Sequence, residues 1–76
     1  FDELFVQVGR FIIESQKASI GNLQRVFRIG FNRAARIMDQ LYEAGVVGKE
    51  QGTKPRQVLM TLEEFEQYIE AVGISG

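Results

Sequence analysis

At 76 residues the chain has room for one small domain, and its 45% hydrophobic fraction, with six Phe and two Tyr, suffices for one core. It contains no Cys and no His, which excludes a disulfide framework, a Cys-based metal site, and the commonest general base and neutral metal ligand. The formal net charge of −1 conceals a segregation: residues 1–16 sum to −2, residues 17–56 to +5 and residues 57–76 to −4. A local field of this kind attracts a polyanion although the whole chain is nearly neutral.

No run approaches the ~18 apolar residues of a membrane span, and no signal-peptide pattern opens the chain. The expected setting is soluble, reducing and cytoplasmic, with no membrane contact by this domain. The chain begins on Phe1 rather than on methionine, so the expectation is a piece excised from something larger.

The first element reads as a helix over residues 2–15. Asp2 stands as its N-cap, and Leu4, Phe5, Val8, Phe11 and Ile12 recur at helical spacing. Gly9 weakens this helix, and close approach of a neighbour accounts for a glycine there. Gln16 and Lys17 end it, and Ala18-Ser19-Ile20 reads as a minimal strand. Gly21-Asn22 offers a turn and cap to a second helix at 22–27, with Leu23, Val26 and Phe27 facing inward. Gly30 then breaks the pattern, as the turn of a helix-turn-helix does. A third helix runs over 31–44 and stops at Gly45, a natural position for a left-handed terminator.

Beyond Gly45 the period becomes extended. Residues 46–48 and 56–60 read as the strands of a hairpin around the polar loop 49–55, with Pro55 marking an edge or a strand's first position. Thr61 and Glu64 match a capping box for the last helix, whose apolar face is Leu62, Phe65, Ile69 and Val72. Glu63, Glu64, Glu66 and Glu70 read as a solvated face with no basic partner, not as catalytic or metal-binding carboxylates. The order helix, strand, helix, helix, strand, strand predicts an α+β, mostly helical fold. It is that of a winged helix-turn-helix with a three-helix core, a β-hairpin wing and a C-terminal helix.

The third helix carries the candidate site. At about 100° per residue, Asn32, Arg33, Arg36, Asp39, Gln40 and Glu43 fall within an arc of roughly 120°. Phe31, Ala34, Ala35, Ile37, Met38, Leu41 and Tyr42 fill the opposite side, as a core face would. Asn and Arg pair bidentately with adenine and guanine edges in the major groove, and an acid accepts from the cytosine amino group. Asn32, Arg36 and Asp39 follow one another along a single row and suit those three partners. Arg33 lies at the edge, suited to a phosphate or an adjacent base. The blander reading is an exposed helix face with an Arg36–Gln40 or Arg36–Asp39 pair.

Lys49, Lys54 and Arg56 flank the hairpin turn, where a wing meets phosphate or the minor groove; the bland alternative is protection of a sheet edge. Arg25 and Arg28 sit at the helix-turn-helix corner, a place for backbone contacts. The aromatics Phe5, Phe11, Phe27, Phe31, Phe65 and Tyr42 read as core. No G-x-x-x-x-G-K-[ST] loop occurs, so the chain is no ATPase by itself. No catalytic residue, metal site or cofactor is expected in it.

The run Phe27-Arg28-Ile29-Gly30-Phe31-Asn32-Arg33-Ala34-Ala35-Arg36 resembles the C-terminal gamma domain of FtsK/SpoIIIE-type DNA translocases. So do Ala18-Ser19-Ile20, Leu23-Gln24-Arg25, Gly45-Val46-Val47-Gly48 and Gly52-Thr53-Lys54-Pro55-Arg56-Gln57-Val58-Leu59. The resemblance covers residues 3–60. It implies a winged-helix module at the end of a hexameric, ATP-driven pump for double-stranded DNA, whose motor domain would hold ATP and Mg. It further implies reading of short, G-rich, polar chromosomal sequences that orient the motor in chromosome segregation at cell division. Several gamma domains of one hexamer would share a recognition sequence, a tyrosine recombinase is a partner in some members, and the parent would be anchored at the inner membrane or septum. The family's base-reading positions fall on Asn32, Arg36 and Asp39 with Arg33 beside them, and its wing on Lys54 and Arg56. Gly21 stands where the family more often has a serine cap. The acidic helix after residue 61 lies past the matched part.

Two other readings compete. One is a winged helix that docks and activates a tyrosine recombinase with little DNA specificity of its own. The other is a free-standing transcription regulator, disfavoured because the dimerisation helix needed to read paired half-sites is absent.

Overall fold

The computed structural model describes residues 1–74 and contains four helices: α1 (Phe5–Ser15), α2 (Ile20–Phe27), α3 (Phe31–Glu43) and α4 (Leu62–Val72). The mostly helical character expected from periodicity is present. Every helix has an apolar line that meets the common core, in which Phe5, Ile12, Leu23, Ile37, Met38, Leu41 and Phe65 have no exposed surface.

The helix starts differ from expectation in two places. Asp2 does not cap a helix beginning at residue 3. Its side chain accepts from the Leu4 N–H at 2.8 Å and its carbonyl from the Phe5 N–H at 2.9 Å, so the chain turns first and α1 begins at Phe5. The second helix begins at Ile20, not at residue 22, because Ser19 is extended and its Oγ accepts from the Asn22 N–H at 3.2 Å. Ser19 supplies the serine cap, and Gly21 is an ordinary first-turn residue. Between α2 and α3 the left-handed residue is Arg28 (φ 53°), while Gly30 is extended and precedes α3 as its N-cap.

The expected hairpin is present only as isolated antiparallel bridges, Val47 with Val58 and Gln51 with Lys54. The Gly48 N–H donates to Gln57 O and the Leu59 N–H to Val46 O, each at 2.8 Å. Pro55 has no N–H to extend the ladder, and the chain turns tightly at Gly52 (φ 67°). The expected strand at 18–20 is Ala18 alone, whose carbonyl accepts from the Arg56 N–H at 2.9 Å; Ser19 already caps α2 and Ile20 opens it.

The capping box at Thr61 and Glu64 is formed on both sides, at 2.9 and 3.1 Å. One face of α4 then packs on α1. A Cβ added at Gly9 would lie 2.3 Å from Phe65 Cζ, so the missing side chain is what lets the Phe65 ring sit against α1. Beside it, Glu66 accepts from Arg10 Nε at 2.6 Å and from Nη2 at 2.8 Å. Glu66 therefore has a basic partner, contrary to the expectation of a fully solvated acidic face. Leu62 and Val72, expected on the core face, are exposed because α4 covers α1 only along the line through Phe65 and Ile69.

The N-terminal segment is fastened to α3. The Asp2 carboxylate, 7% exposed, accepts from Arg33 Nε at 3.0 Å and Nη2 at 2.9 Å, and the Asp2 N–H donates to Gln40 Oε1 at 2.9 Å. Hydrogen bonds from the Arg33 guanidinium, opposed by burial, hold the Asp2 carboxyl below its ordinary value of 3.8; the Leu4 N–H and the charges of Arg33 and Arg36 add to the lowering.

Replacing Gly9 by Ala gains about 1 kcal/mol of helix propensity but drives a methyl into a ring that cannot retreat, an overpacking of about 1–3 kcal/mol. The urea midpoint is expected to fall, and to recover in part when Phe65→Leu is added; an additive double mutant would contradict the contact. Asp2 has a lowered folded pKa, so its contribution is present above pH 3.8 and is lost as pH falls through the lower folded value. Asp2→Asn should lower the urea midpoint at pH 7 and flatten the acid limb of midpoint against pH. An acid limb identical to that of the unsubstituted chain would contradict the pairing.

Candidate nucleic-acid interface

The line of α3 that meets the core is Ala34, Ile37, Met38 and Leu41, each with no exposed surface. On a wheel of about 100° per residue these four centre opposite Asn32, Asp39 and Glu43. Asn32, Arg36, Asp39 and Glu43 are all exposed. Asn32, Arg36 and Asp39 occupy one row, with side chains bonded to no other group among the described residues. The Arg36–Gln40 and Arg36–Asp39 pairs are not formed, since Gln40 accepts from the Asp2 N–H instead.

The exposed arc is rotated by roughly 60° from the polar stripe expected. At one flank Arg33 and Gln40 are half-buried and held by Asp2. At the other, Phe31 is 60% exposed and Tyr42 42% exposed, although both were expected in the core. Val26 on α2, also expected inward, is 49% exposed. An eight-residue helix buries a narrow line, and Leu23 alone among its residues is buried.

No side chain caps the start of α3; Gly30 stands there, and a Cβ at Gly30 would meet nothing within 4 Å. The first-turn N–H groups of a helix left in that state attract anions. Around this end lie Arg25, Arg28 and Arg36, all exposed. Arg25 donates to the Asn22 side chain. Lys49 and Lys54 are exposed on the hairpin. Arg56 is half-buried, with its guanidinium carbon 5.9 Å from the centre of the Tyr42 ring, a cation–π contact that ties the returning segment to the last turn of α3.

A cleft of 210 Å³ lies between the start of α2 and the hairpin, with Ser19 and Ile20 on one wall and Lys54 and Arg56 on the other. It is smaller than the ~300–1,000 Å³ of small-molecule pockets. Among the described residues no group of three or more acidic side chains is placed to hold a metal ion, and no helix is long and apolar enough to cross a membrane.

Sequence reasoning had found the exposed row and its basic surroundings. It missed the Asp2 clamp, which joins residues 31 and 38 positions apart and leaves no local signal. It also missed the exposure of Phe31, although a residue in the first turn of a helix has few inward neighbours to pack against.

Comparison with known proteins gives the family of the chain. The family described as Ftsk gamma domain matches residues 1–61. A DNA translocase FtsK of Staphylococcus epidermidis is 52% identical over 65 residues, 86% of this chain and 8% of the relative. A DNA translocase FtsK of Streptococcus pyogenes is 53% identical over 60 residues, 79% of this chain and 8% of the relative. A DNA translocase SpoIIIE of Bacillus subtilis is 47% identical over 66 residues, 87% of this chain and again 8% of the relative. The chain thus spans under a tenth of the length of these relatives, and it belongs to the FtsK gamma domain family.

Proposed function

We propose that this chain is a winged helix-turn-helix domain that binds double-stranded DNA sequence-specifically, with α3 in the major groove and the 46–60 hairpin as the wing. The observation that carries the reading is the exposed Asn32–Arg36–Asp39 row on a helix whose opposite line is core. Asn32 meets adenine, Arg36 guanine, and Asp39 the cytosine amino group. Arg33 keeps Nη1 uncommitted among the described residues and supports the row from its flank, reaching a phosphate or a neighbouring base. Arg25, Arg28, Lys49, Lys54 and Arg56 hold the DNA backbone.

In the larger setting the domain stands at the C-terminus of a cytoplasmic motor whose parent chain is anchored at the membrane or septum. It reads short, G-rich, polar chromosomal sequences and so orients a hexameric, ATP-driven translocase during chromosome segregation. The name that these relatives carry, DNA translocase, supports this setting. The domain itself is a reader and not an enzyme; ATP and Mg belong to the motor. Few contacts come from one small module, so several copies in a hexamer act together on one site.

The test is a fluorescence-anisotropy titration at about 100 mM salt, close to a 10 Å screening length. The duplexes are a G-rich asymmetric octamer and a scrambled control of equal composition. The octamer is expected to bind more tightly. Equal, weak binding to both would reject base reading and favour a domain that docks a tyrosine recombinase. Arg36→Ala should cost about 1–3 kcal/mol on the preferred duplex and relax the preference at one position. Lys54→Ala should weaken every duplex alike and reduce the slope of log K against log salt by about 1 unit. An Arg36→Ala domain that discriminates as well as the original would overturn the assignment of that residue.

A further inference from the structure

We propose that Phe31, with Ala35 beside it, reads the 5-methyl group of thymine in the major groove and is a specificity-determining residue of this domain. The inference rests on the DNA-binding reading above and adds an apolar contact to it. On α3, Phe31 and Ala35 are about 40° apart, and Asn32 follows roughly 60° further round. The outer face therefore has two adjoining parts within its first two turns: an apolar edge of exposed Phe31 and half-buried Ala35, then the amide and guanidinium row.

Phe31 is 60% exposed, and none of the aromatic pairs among the described residues includes it. Tyr42, the other exposed aromatic of α3, has the Arg56 guanidinium carbon 5.9 Å from its ring centre. Phe31 is thus the aromatic of α3 without a partner in the fold, and it occupies the helix end that leads into a groove. Its surroundings allow close approach: Gly30 and Asn32 are exposed, and Gly30 has open space about it.

The chemistry selects the occupant. Arg28, three residues before Phe31, and Arg36, five residues after it, are exposed cations on the same segment and draw it toward a polyanion. Of the four bases only thymine presents an apolar group in the major groove, and Phe and Ala are side chains that contact it. Asn32 read as an adenine contact puts a thymine on the opposite strand of the same pair, within reach of the neighbouring edge of the helix.

The experiment selects the octamer that the domain prefers from a random duplex pool, then rebuilds it with each thymine in turn replaced by deoxyuridine. That exchange removes one methyl and leaves the O4 acceptor. One replacement is expected to weaken binding about fourfold, the worth of one buried methyl. Phe31→Ala should bind the thymine and deoxyuridine duplexes equally, and Phe31→Leu should keep part of the difference. The ring is largely exposed, so both variants should keep the original urea midpoint. No preferred octamer at all would reject the DNA-reading function and this contact with it. Four results would reject the thymine contact alone: a preferred octamer without thymine, sensitivity to deoxyuridine that survives Phe31→Ala, a Phe31→Ala loss equal on every duplex, or no Phe31→Ala loss on any duplex. The third would mark a general contact with sugars, and the fourth would return Phe31 to a protein-facing role.

Discussion

The burial of Ala34, Ile37, Met38 and Leu41 along one line of α3 decides what the rest of the surface can do. The helical period is fixed, so fixing that line fixes the direction of every other side chain on the helix. An unpaired charge facing the core would cost several kcal/mol. The register that buries the apolar line therefore also turns Asn32, Arg36 and Asp39 to the outside. Arg33 and Gln40 fall at the boundary, neither buried nor free. Asp2 resolves that boundary by accepting from Arg33 and donating to Gln40, which gives each flank residue a partner and fastens the chain's first turn to α3. The Arg33–Asp2 pair is part-exposed on the arginine side and screened there by solvent. Its contribution is to orientation more than to stability.

The turn before α3 is the other constraint on the site. Arg28 adopts a left-handed conformation that glycine would take without strain, at a cost of about 1 kcal/mol for a residue with a Cβ. The conformation is imposed by two donors on one acceptor, since the N–H groups of Arg28 and Ile29 both reach Gln24 O. With α2 terminated this way, Gly30 can be extended and leave the start of α3 uncapped. Arg28 thus carries an exposed charge in the turn that leads into α3.

Much of this was legible in the sequence, for stated physical reasons. Apolar spacing located four helices, because a helix burying one line must repeat at its own period. Thr61 and Glu64 announced their capping box, and Gly9 announced a close neighbour that proved to be the Phe65 ring. The errors were of two kinds. Local competition among polar groups moved helix starts: Asp2 spends its acceptors on Leu4 and Arg33, and Ser19 caps α2 ahead of Gly21. Tertiary context decided exposure where composition could not. Phe31 and Tyr42 look like core residues by type, yet lie past the edge of the buried line. The Arg10–Glu66 and Asp2–Arg33 pairs join distant segments, and no spacing rule reaches that far.

The charge pattern has a consequence for how such a domain would discriminate among DNA sequences. The two acidic ends of the chain come together in the packing of α1 on α4, while eight of the nine cations lie between Lys17 and Arg56, the segment that holds α2, the turn, α3 and the hairpin. Sequence-independent affinity rises with the number of phosphates neutralised and with the release of their counterions. Residues 17–56, with eight bases and three acids, supply that source although the whole chain carries a formal charge of −1. That term is common to every duplex, so in the proposed interface a preference among duplexes would come from the base edges that α3 touches. Weak single-copy binding is thus compatible with sharp discrimination, provided that copies are tethered and the effective concentration of the second and third is set by the linkers.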